Sequence, residues 1–469
     1  MEERKGFGSN FGFLMAAIGS AVGLGNIWGF PNKMGANGGF TFLIIYLILA
    51  VLCGFVVMVG ELAIGRKTGK GAVAAYRSLS QRFKWVGWLG VASAFLIMSF
   101  YCALGGYCLK YVVLNIGNLT GAAFGSNGLS GSEVFGTFLT SQGEGVIYGL
   151  IFVVLTMVIV MGGVSGGIEK FCGIGMPALF FMLLICIVRA CTLPGAVDGL
   201  KYMFVPGWAV ANGVIEKAPS IFEVISTAGG QMFFSLSIGM GAMITYGSYL
   251  DKKEKLTSSV TQIAGTTFGV SLLAGMMIIP SSFAALGSGE AVAENAGPSL
   301  MYIVLPEVFN SMGSIGGILG GVFFILVIFA ALTSSISLVE TCVSIISDGA
   351  NMTRKKALAI VTAFLLVAAF IVNMGYSGLS FIQPLGEGSS ILDFLDFISN
   401  SVMMPIAAIM TCIFVGWVIK PKTIIDEVRE SSKFRAAGAW TAMIKYIAPV
   451  CIVLILITYV AQTFGLVSL

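Results

Sequence analysis

Long apolar runs separated by short polar stretches fill the chain from end to end. Eleven of them reach the roughly 20 residues that cross a bilayer: 11–35, 39–65, 86–115, 146–164, 170–190, 220–249, 257–284, 314–346, 355–373, 391–419 and 440–465. Several are longer than that minimum, which predicts tilted or protruding helices. The runs are far too long for the roughly 10-residue alternating strands of a membrane barrel. The predicted fold is an all-α polytopic membrane protein, with eleven transmembrane helices in one domain spanning 1–469.

Two runs are interrupted in a similar way. The first contains Gly19-Ser20-Ala21-Val22-Gly23-Leu24-Gly25-Asn26, with Pro31 beyond it; the sixth contains Gly229-Gly230-Gln231-Met232-Phe233-Phe234-Ser235-Leu236-Ser237-Ile238-Gly239-Met240-Gly241. A glycine costs about 1 kcal/mol inside a helix. In lipid, each backbone group left unpaired costs several kcal/mol unless protein or a water-filled cavity satisfies it. One reading is that the backbone is opened to hold something; the other is that these are packing glycines between membrane helices. Runs one and six lie five apart and so cross in opposite directions. That predicts two inverted five-helix repeats, about 11–190 and 220–419, with 440–465 appended. Sites then lie where the broken helices meet, N–H groups facing an anion and freed carbonyls facing a cation.

Charge adds an orientation. Only 10% of residues are charged against 57% hydrophobic, where a soluble protein carries about 25% charged. With the N-terminus inside, the inner loops hold Arg66, Lys67, Lys70, Arg77, Arg82 and Lys84, then Lys170, then Lys252, Lys253 and Lys255, then Arg354, Lys355 and Lys356, then the Lys420–Lys445 region. The outer segments 116–145, 285–313 and 374–390 hold no lysine or arginine. This predicts a cytoplasmic N-terminus and an external C-terminus. Lys33, Lys110, Arg189, Lys201 and Lys217 are exceptions. The opening Met1-Glu2-Glu3-Arg4-Lys5 lacks the apolar core of a removable signal peptide. Residues 285–312 are expected to form short capping helices, and 421–437 a solvated link.

The chain has no histidine, which removes the commonest general base and metal ligand. The nine cysteines form no Cys-x-x-Cys pair and read as small buried hydrophobes. No enzyme activity is expected. The expected partners are the lipid bilayer and a small molecule, with no nucleic acid and no obligatory protein partner.

Four motifs in order then carry a resemblance. Ala21-Val22-Gly23-Leu24-Gly25-Asn26-Ile27-Trp28, with Phe30-Pro31, Asn37-Gly38-Gly39 and Gly60-Glu61-Leu62-Ala63, resembles the first two helices of the neurotransmitter:sodium symporter family. The Gln231–Gly241 stretch resembles its sixth helix and Ala331-Leu332-Thr333-Ser334-Ser335 its eighth. Eleven spans are similar to many bacterial members, which implies a bacterial inner (plasma) membrane.

The resemblance implies a leucine-transporter-like fold and two sodium ions. One would be held by the carbonyls of Gly19, Val22 and Ala330 and the hydroxyls of Thr333 and Ser334. The other would use Ala21, Asn26, Ser235 and Thr266 or Thr267, with Thr266 taken first; the family usually has Asn or Asp at that last position. No carboxylate lies in 260–280, and Tyr46, Gln231, Ser235 and Ser271 resemble the chloride-holding groups of chloride-dependent members. A substrate carboxylate would meet Leu24, Gly25 and Tyr101, and its ammonium Ala21, Phe234, Ser235 and Ser237. The side chain would face Ile97, Tyr101, Leu104, Phe234, Met240, Ser334 and Leu338. Gly23 stands where monoamine members carry aspartate, which favours an amino acid, hydrophobic or aromatic.

Arg4 and Asp348 resemble the inner gate, with Phe7, Ser248 and Tyr249 near it and Phe234 over the substrate. At the outer gate Gly29 replaces an expected arginine; Lys33 is the candidate substitute, facing Asp396, with Asp393 as an alternative. Glu61 is expected to bond the opened backbone of the first helix. The function implied is sodium-coupled amino-acid import by alternating access. The rivals are a proton-coupled amino-acid permease of the same fold and a glycine- or alanine-type sodium symporter with chloride dependence.

Overall fold

Every predicted run carries a helix or a broken pair of helices. The structure, a computed structural model, describes residues 7–126, 128–286, 300–312, 314–349 and 352–463. Arg4 and residues 287–299 lie outside the described residues. Among the described residues, nine helices are long and apolar enough to span a membrane, from Phe40–Thr68 to Ala437–Thr463. Asn10–Ala21 and Gly25–Ala36 form a further span bent by 52° at its break. The sixth run is two pieces, Ile221–Leu236 and Ala242–Gly247, each too short to cross alone.

The helix ends follow local chemistry. Ser9 caps the first helix by accepting from Gly12 N at 3.0 Å. Gly69 and Gly121 end the second and third spans in the left-handed region, at φ 61° and 67°, where a side chain would be strained. In the segment 116–145, Gly131–Thr140 forms a helix with a Ser130–Glu133 capping box. Those backbone and hydroxyl bonds hold the Glu133 carboxyl below its ordinary range. In the segment expected to cap the bundle, 300–311 is helical, a wide turn over Leu300–Val304 running into an α-helix at Leu305–Ser311.

Burial separates centre from periphery. Of the most apolar stretch of the third span (Gln81–Thr120), 78% is buried inside the protein, against 22% for the last span. The third span is therefore the central post, and the last is the most peripheral of the nine. Lipid tails give helices little hydrophobic reason to associate, so close approach of small residues matters. A Cβ on Gly106 would strike the backbone of Gly149, so spans three and four touch main chain to main chain.

Two expectations are corrected here. The link after the tenth span is not simply solvated: Pro421–Arg429 is a helix that buries Ile424, Val428 and the whole of Glu427. Its apolar face packs on the protein, and its acid is neutralised there by Arg66 at 2.9 Å. Glu61, in turn, bonds the opened sixth helix rather than the first: it accepts from Gly239 N at 2.9 Å. Gly239 and Gly241, at φ 80° and 78°, turn the backbone so that this N–H has no helical acceptor.

Candidate functional site

The two breaks face each other across a small cavity. In the first span, helical bonding stops at Val22, which is extended (φ −92°, ψ 98°). The chain restarts with a wide turn over Gly25–Gly29. In the sixth, Ser237 adopts the left-handed conformation at φ 51°, uncommon for a residue with a side chain. It is held there because its hydroxyl donates to the Ser20 carbonyl at 2.9 Å. The third span supplies Tyr101, whose hydroxyl accepts from Leu24 N at 3.0 Å. The eighth supplies Ser334, which donates to the carbonyls of Gly19 and Ser20 at 3.2 Å each.

The cavity, about 20 Å³, is lined by groups from all four spans, including Ala21, Gly23, Ile97, Tyr101, Phe234 and Met240. Its size suits about one water, so the lining must part to admit anything larger. There is no room for a side chain at Gly23, where a Cβ would run into Ser334 and Tyr101. A Cβ on Gly25 would meet the Phe234 ring, which lies over the opened backbone.

The oxygens expected at the helix-one to helix-eight site are brought together. Thr333 Oγ1 lies 3.0 Å from the Ala330 carbonyl and 3.5 Å from that of Val22. Ser334 Oγ is 3.2 Å from Gly19 O. All five groups are neutral oxygens, a donor set that fits a hard monovalent cation.

The other expected cation set is less complete. Asn26 Oδ1 accepts from Gly23 N at 3.2 Å, and Ser235 accepts from Gln231 at 2.9 Å. Thr266 is corrected: it sits on the outside of the seventh span, while Thr267 is fully buried with its hydroxyl lacking a hydrogen-bond partner. The helical rotation of 100° per residue separates the two.

Next to it, Gln231 Nε2 donates to Gly25 O at 2.6 Å, and Asn26 Nδ2 donates to Ser271 at 2.8 Å. The Tyr46 hydroxyl, wholly buried, approaches Ser235 without hydrogen-bond geometry. Buried polar atoms without partners are rare and call for an explanation; Tyr46, Thr267 and Gln231 Oε1 form such a group here.

Leu104 is a second correction. It is absent from the cavity wall, and its carbonyl accepts from Cys108 and Tyr302 at 3.2 and 3.4 Å. Leu24 and Ser235 stay beside the cavity but contribute no surface to it, whereas Ser20, Gly23 and Asn26 do. Ser20 escaped sequence reasoning because it contributes a carbonyl, which any residue type possesses.

Of the expected gates, Arg4 lies outside the described residues. Asp348 accepts from Gly71 N at 3.3 Å. Phe7 packs edge-on against Tyr249 at 6.2 Å. Tyr249 donates to Glu340 at 2.8 Å, and Arg354 grips the same carboxylate with two bonds, 2.7 and 2.6 Å. Sequence reasoning missed Glu340, although an acid within an apolar run is a signal by itself. At the other end, no ion pair joins Lys33 to Asp396. The two feel each other's charge, while Asn400 donates to Asp396 at 2.5 Å. Asp393 is committed to capping its own helix through Ser390, at 2.7 and 2.8 Å.

Two helices opened at mid-length, offering carbonyls and N–H groups to one buried space, are the working parts of a secondary transporter. The chain belongs to the sodium:neurotransmitter symporter family, whose model matches residues 4–121 and 139–466. It is 34% identical to MhsT in a crystal structure with L-phenylalanine, with a TM-score of 0.85, covering 97% of this chain and 100% of that one. It is 33% identical to the uncharacterised sodium-dependent transporter YhdH of Bacillus subtilis, over 96% of this chain and 97% of that protein. A similar transporter of Methanocaldococcus jannaschii, MJ1319, is 32% identical over 96% and 89%. The chain is therefore a sodium-coupled symporter, and the proton-coupled alternative is set aside.

Proposed function

We propose that this symporter imports an amino acid with a large hydrophobic or aromatic side chain, its N-terminus in the cytoplasm of a bacterial cell. The observation that carries this is the pairing of Tyr101 OH with Leu24 N beside a side-chain-free Gly23. A carboxylate entering there finds two donors and no competing acid. Its ammonium finds the carbonyls around Ala21 and Phe234 and the Ser237 hydroxyl. Beyond lie Ile97, Phe234, Met240 and Leu338, apolar except for the flexible thioether, which adapts to bulky side chains. The L-phenylalanine bound to the related MhsT supports the same reading.

Gly19, Val22, Ala330, Thr333 and Ser334 would hold one sodium ion; Ala21, Asn26, Ser235 and Thr267 would hold the second. Two cations beside a substrate whose carboxylate and ammonium cancel leave two buried positive charges. Buried charge without a partner is costly, so an anion that offsets one of them is favoured. Tyr46, Gln231, Ser235 and Ser271 therefore take a chloride ion in this reading. The buried Tyr46 hydroxyl, which has no hydrogen-bond partner, and the Ser235 hydroxyl, which only accepts from Gln231, have protons to offer an anion, and this supports the reading. Glu61 tethers the opened sixth helix. Phe234 covers the substrate.

The decisive experiment is uptake of labelled phenylalanine, tryptophan, leucine and glycine into proteoliposomes with external sodium or choline. Sodium-dependent uptake led by the three larger substrates is expected; glycine dominating would overturn the substrate class. Replacing chloride by gluconate is expected to slow uptake, and an unchanged rate would remove chloride from the scheme.

A further inference from the structure

A groove of about 430 Å³ opens on the outer surface of the helix bundle, between the end of the fourth span, the start of the fifth and the eighth. That volume falls within the range of about 300–1,000 Å³ typical of small-molecule sites. It is remote in kind from the transport cavity. Its walls are apolar: Val158 and Ile174 are 56% and 66% exposed, and Phe171 stacks on Phe329 at 5.8 Å. Its floor has no side chain at Gly166, where a Cβ would meet nothing within 4 Å.

One charge stands at the rim. Lys170 lines the groove, is exposed, and has no ion-pair partner among the described residues. The adjacent acid is engaged elsewhere: Glu169 accepts from Gly8 N at 2.7 Å and Ser9 Oγ at 2.8 Å, at the start of the first span. The rim also lies at the basic end of the molecule. Arg354 donates to the Val160 carbonyl at 3.1 Å, which brings Lys355 and Lys356 to the same end. Long basic side chains at that depth reach toward lipid headgroups while their stems lie on apolar surface.

We propose that this groove binds one anionic phospholipid, an acyl chain lying along Phe171 and Phe329 and the headgroup phosphate on Lys170. A trough for hydrocarbon alone has no use for the lysine. A free aqueous anion has no use for the apolar walls. Together they fit a molecule with both parts. Because the floor is the turn between spans four and five, the bound lipid braces that turn against the eighth span.

The test uses the full chain in phosphatidylcholine nanodiscs containing a trace of phosphatidylglycerol with a photoreactive acyl chain, the labelled peptides being mapped by mass spectrometry. Labelling is expected within 158–174 and around Phe329. A phosphatidylcholine probe with the same chain is expected to label there about fivefold less, the equivalent of about 1 kcal/mol for one lysine near the surface. Lys170→Gln should lower phosphatidylglycerol labelling to that level and leave the phosphatidylcholine signal unchanged. Gly166→Leu should fill the trough and abolish both; if that variant does not fold, Val158→Trp fills it from the opposite wall. Equal labelling by the two headgroups, no effect of Lys170→Gln, or labelling that survives a filled trough would each overturn the proposal.

Discussion

The two ends of this molecule hold their charges in different ways. At the basic end, Glu340 and Glu427 have side chains with 0% exposure, and a guanidinium meets each one. Arg354 takes both oxygens of Glu340. Arg66 reaches Glu427 Oε1 at 2.9 Å, the Glu427 carbonyl, the Glu254 carbonyl at 2.7 Å and Ser431 at 3.1 Å. At the opposite end Lys33 and Asp396 sense each other without forming an ion pair. A buried charge that loses its partner is left stranded in a low-dielectric surrounding, whereas a pair that has not formed costs little to separate. The basic end is thus fastened across several elements by wholly buried carboxylates, whereas the ion pairs on the other side, Lys110–Glu144 at 3.1 Å and Lys201–Asp198 at 3.0 Å, are partly exposed and so weaker. The two ends are fastened unequally, and variants at each end test whether that inequality bears on transport.

The largest effect should come from removing the most deeply buried partner. Arg66→Ala leaves Glu427 with Lys252 alone and should cost about 3–5 kcal/mol, read as the largest fall in unfolding temperature of any variant described below. Arg66→Lys should recover less than half of the loss. One ammonium cannot span the Glu427 carboxylate, two carbonyls and Ser431 as the planar fork does. An unfolding temperature unmoved by Arg66→Ala would show that the fastening lies elsewhere.

Glu340→Gln comes next. It keeps the shape of the side chain but removes the charge that Arg354 and Tyr249 share. The expected result is a looser basic end and substrate affinity weakened by about tenfold, within the usual range of coupling between distant sites. Affinity measured with sodium saturating would separate this from damage to the ion sites. If affinity is unchanged, the pair is structural and takes no part in gating.

Smaller again is the effect at the opposite end. Lys33→Glu places like charges together near Asp396 and should slow uptake severalfold while leaving the free energy of unfolding within about 0.5 kcal/mol of wild type, as for other changes away from packed features. Restoring the family's arginine by Gly29→Arg should not rescue it. A Cβ there would lie 3.1 Å from Gln231 Oε1, and Gln231 is needed where it is by Gly25. Full activity in Lys33→Glu would exclude Lys33 from the gate.

How much of this was legible beforehand depends on which kind of atom acts. The apolar spans and both breaks are written in side-chain type and period, and helices and breaks lie there in the structure; the Thr333-Ser334 oxygens came from the family resemblance, not from the pattern. The threonine of the seventh span was ambiguous because Thr266 and Thr267 are adjacent and only the helix rotation decides which is buried. The Ser20 carbonyl is invisible to any reading of side chains. Arg66 looked like one more loop charge, because the sequence places it at the end of a span. Its partner Glu427 lies 361 residues away, in a link that looked solvated. Leu104 was assigned to the pocket by analogy, but it turns its backbone toward Tyr302 instead.

The smallest effect is the sharpest check on the opening contrast. Lys252 bonds both oxygens of Glu427 at 2.8 Å and Glu430 at 3.1 Å, so by distance alone it rivals Arg66. Its side chain, however, is 51% exposed. Water and salt screen its charge, and holding a long side chain in place costs entropy, so such pairs contribute about 0–1 kcal/mol. Lys252→Ala should therefore lower stability by no more than that, and less as salt rises, because screening acts mainly on exposed charges. The double variant Arg66→Ala with Lys252→Ala should lose more than the sum of the two, since Glu427 then has no cation at all. If Lys252→Ala alone matches Arg66→Ala, then proximity rather than burial sets the strength of this end, and the contrast between the two ends fails with it.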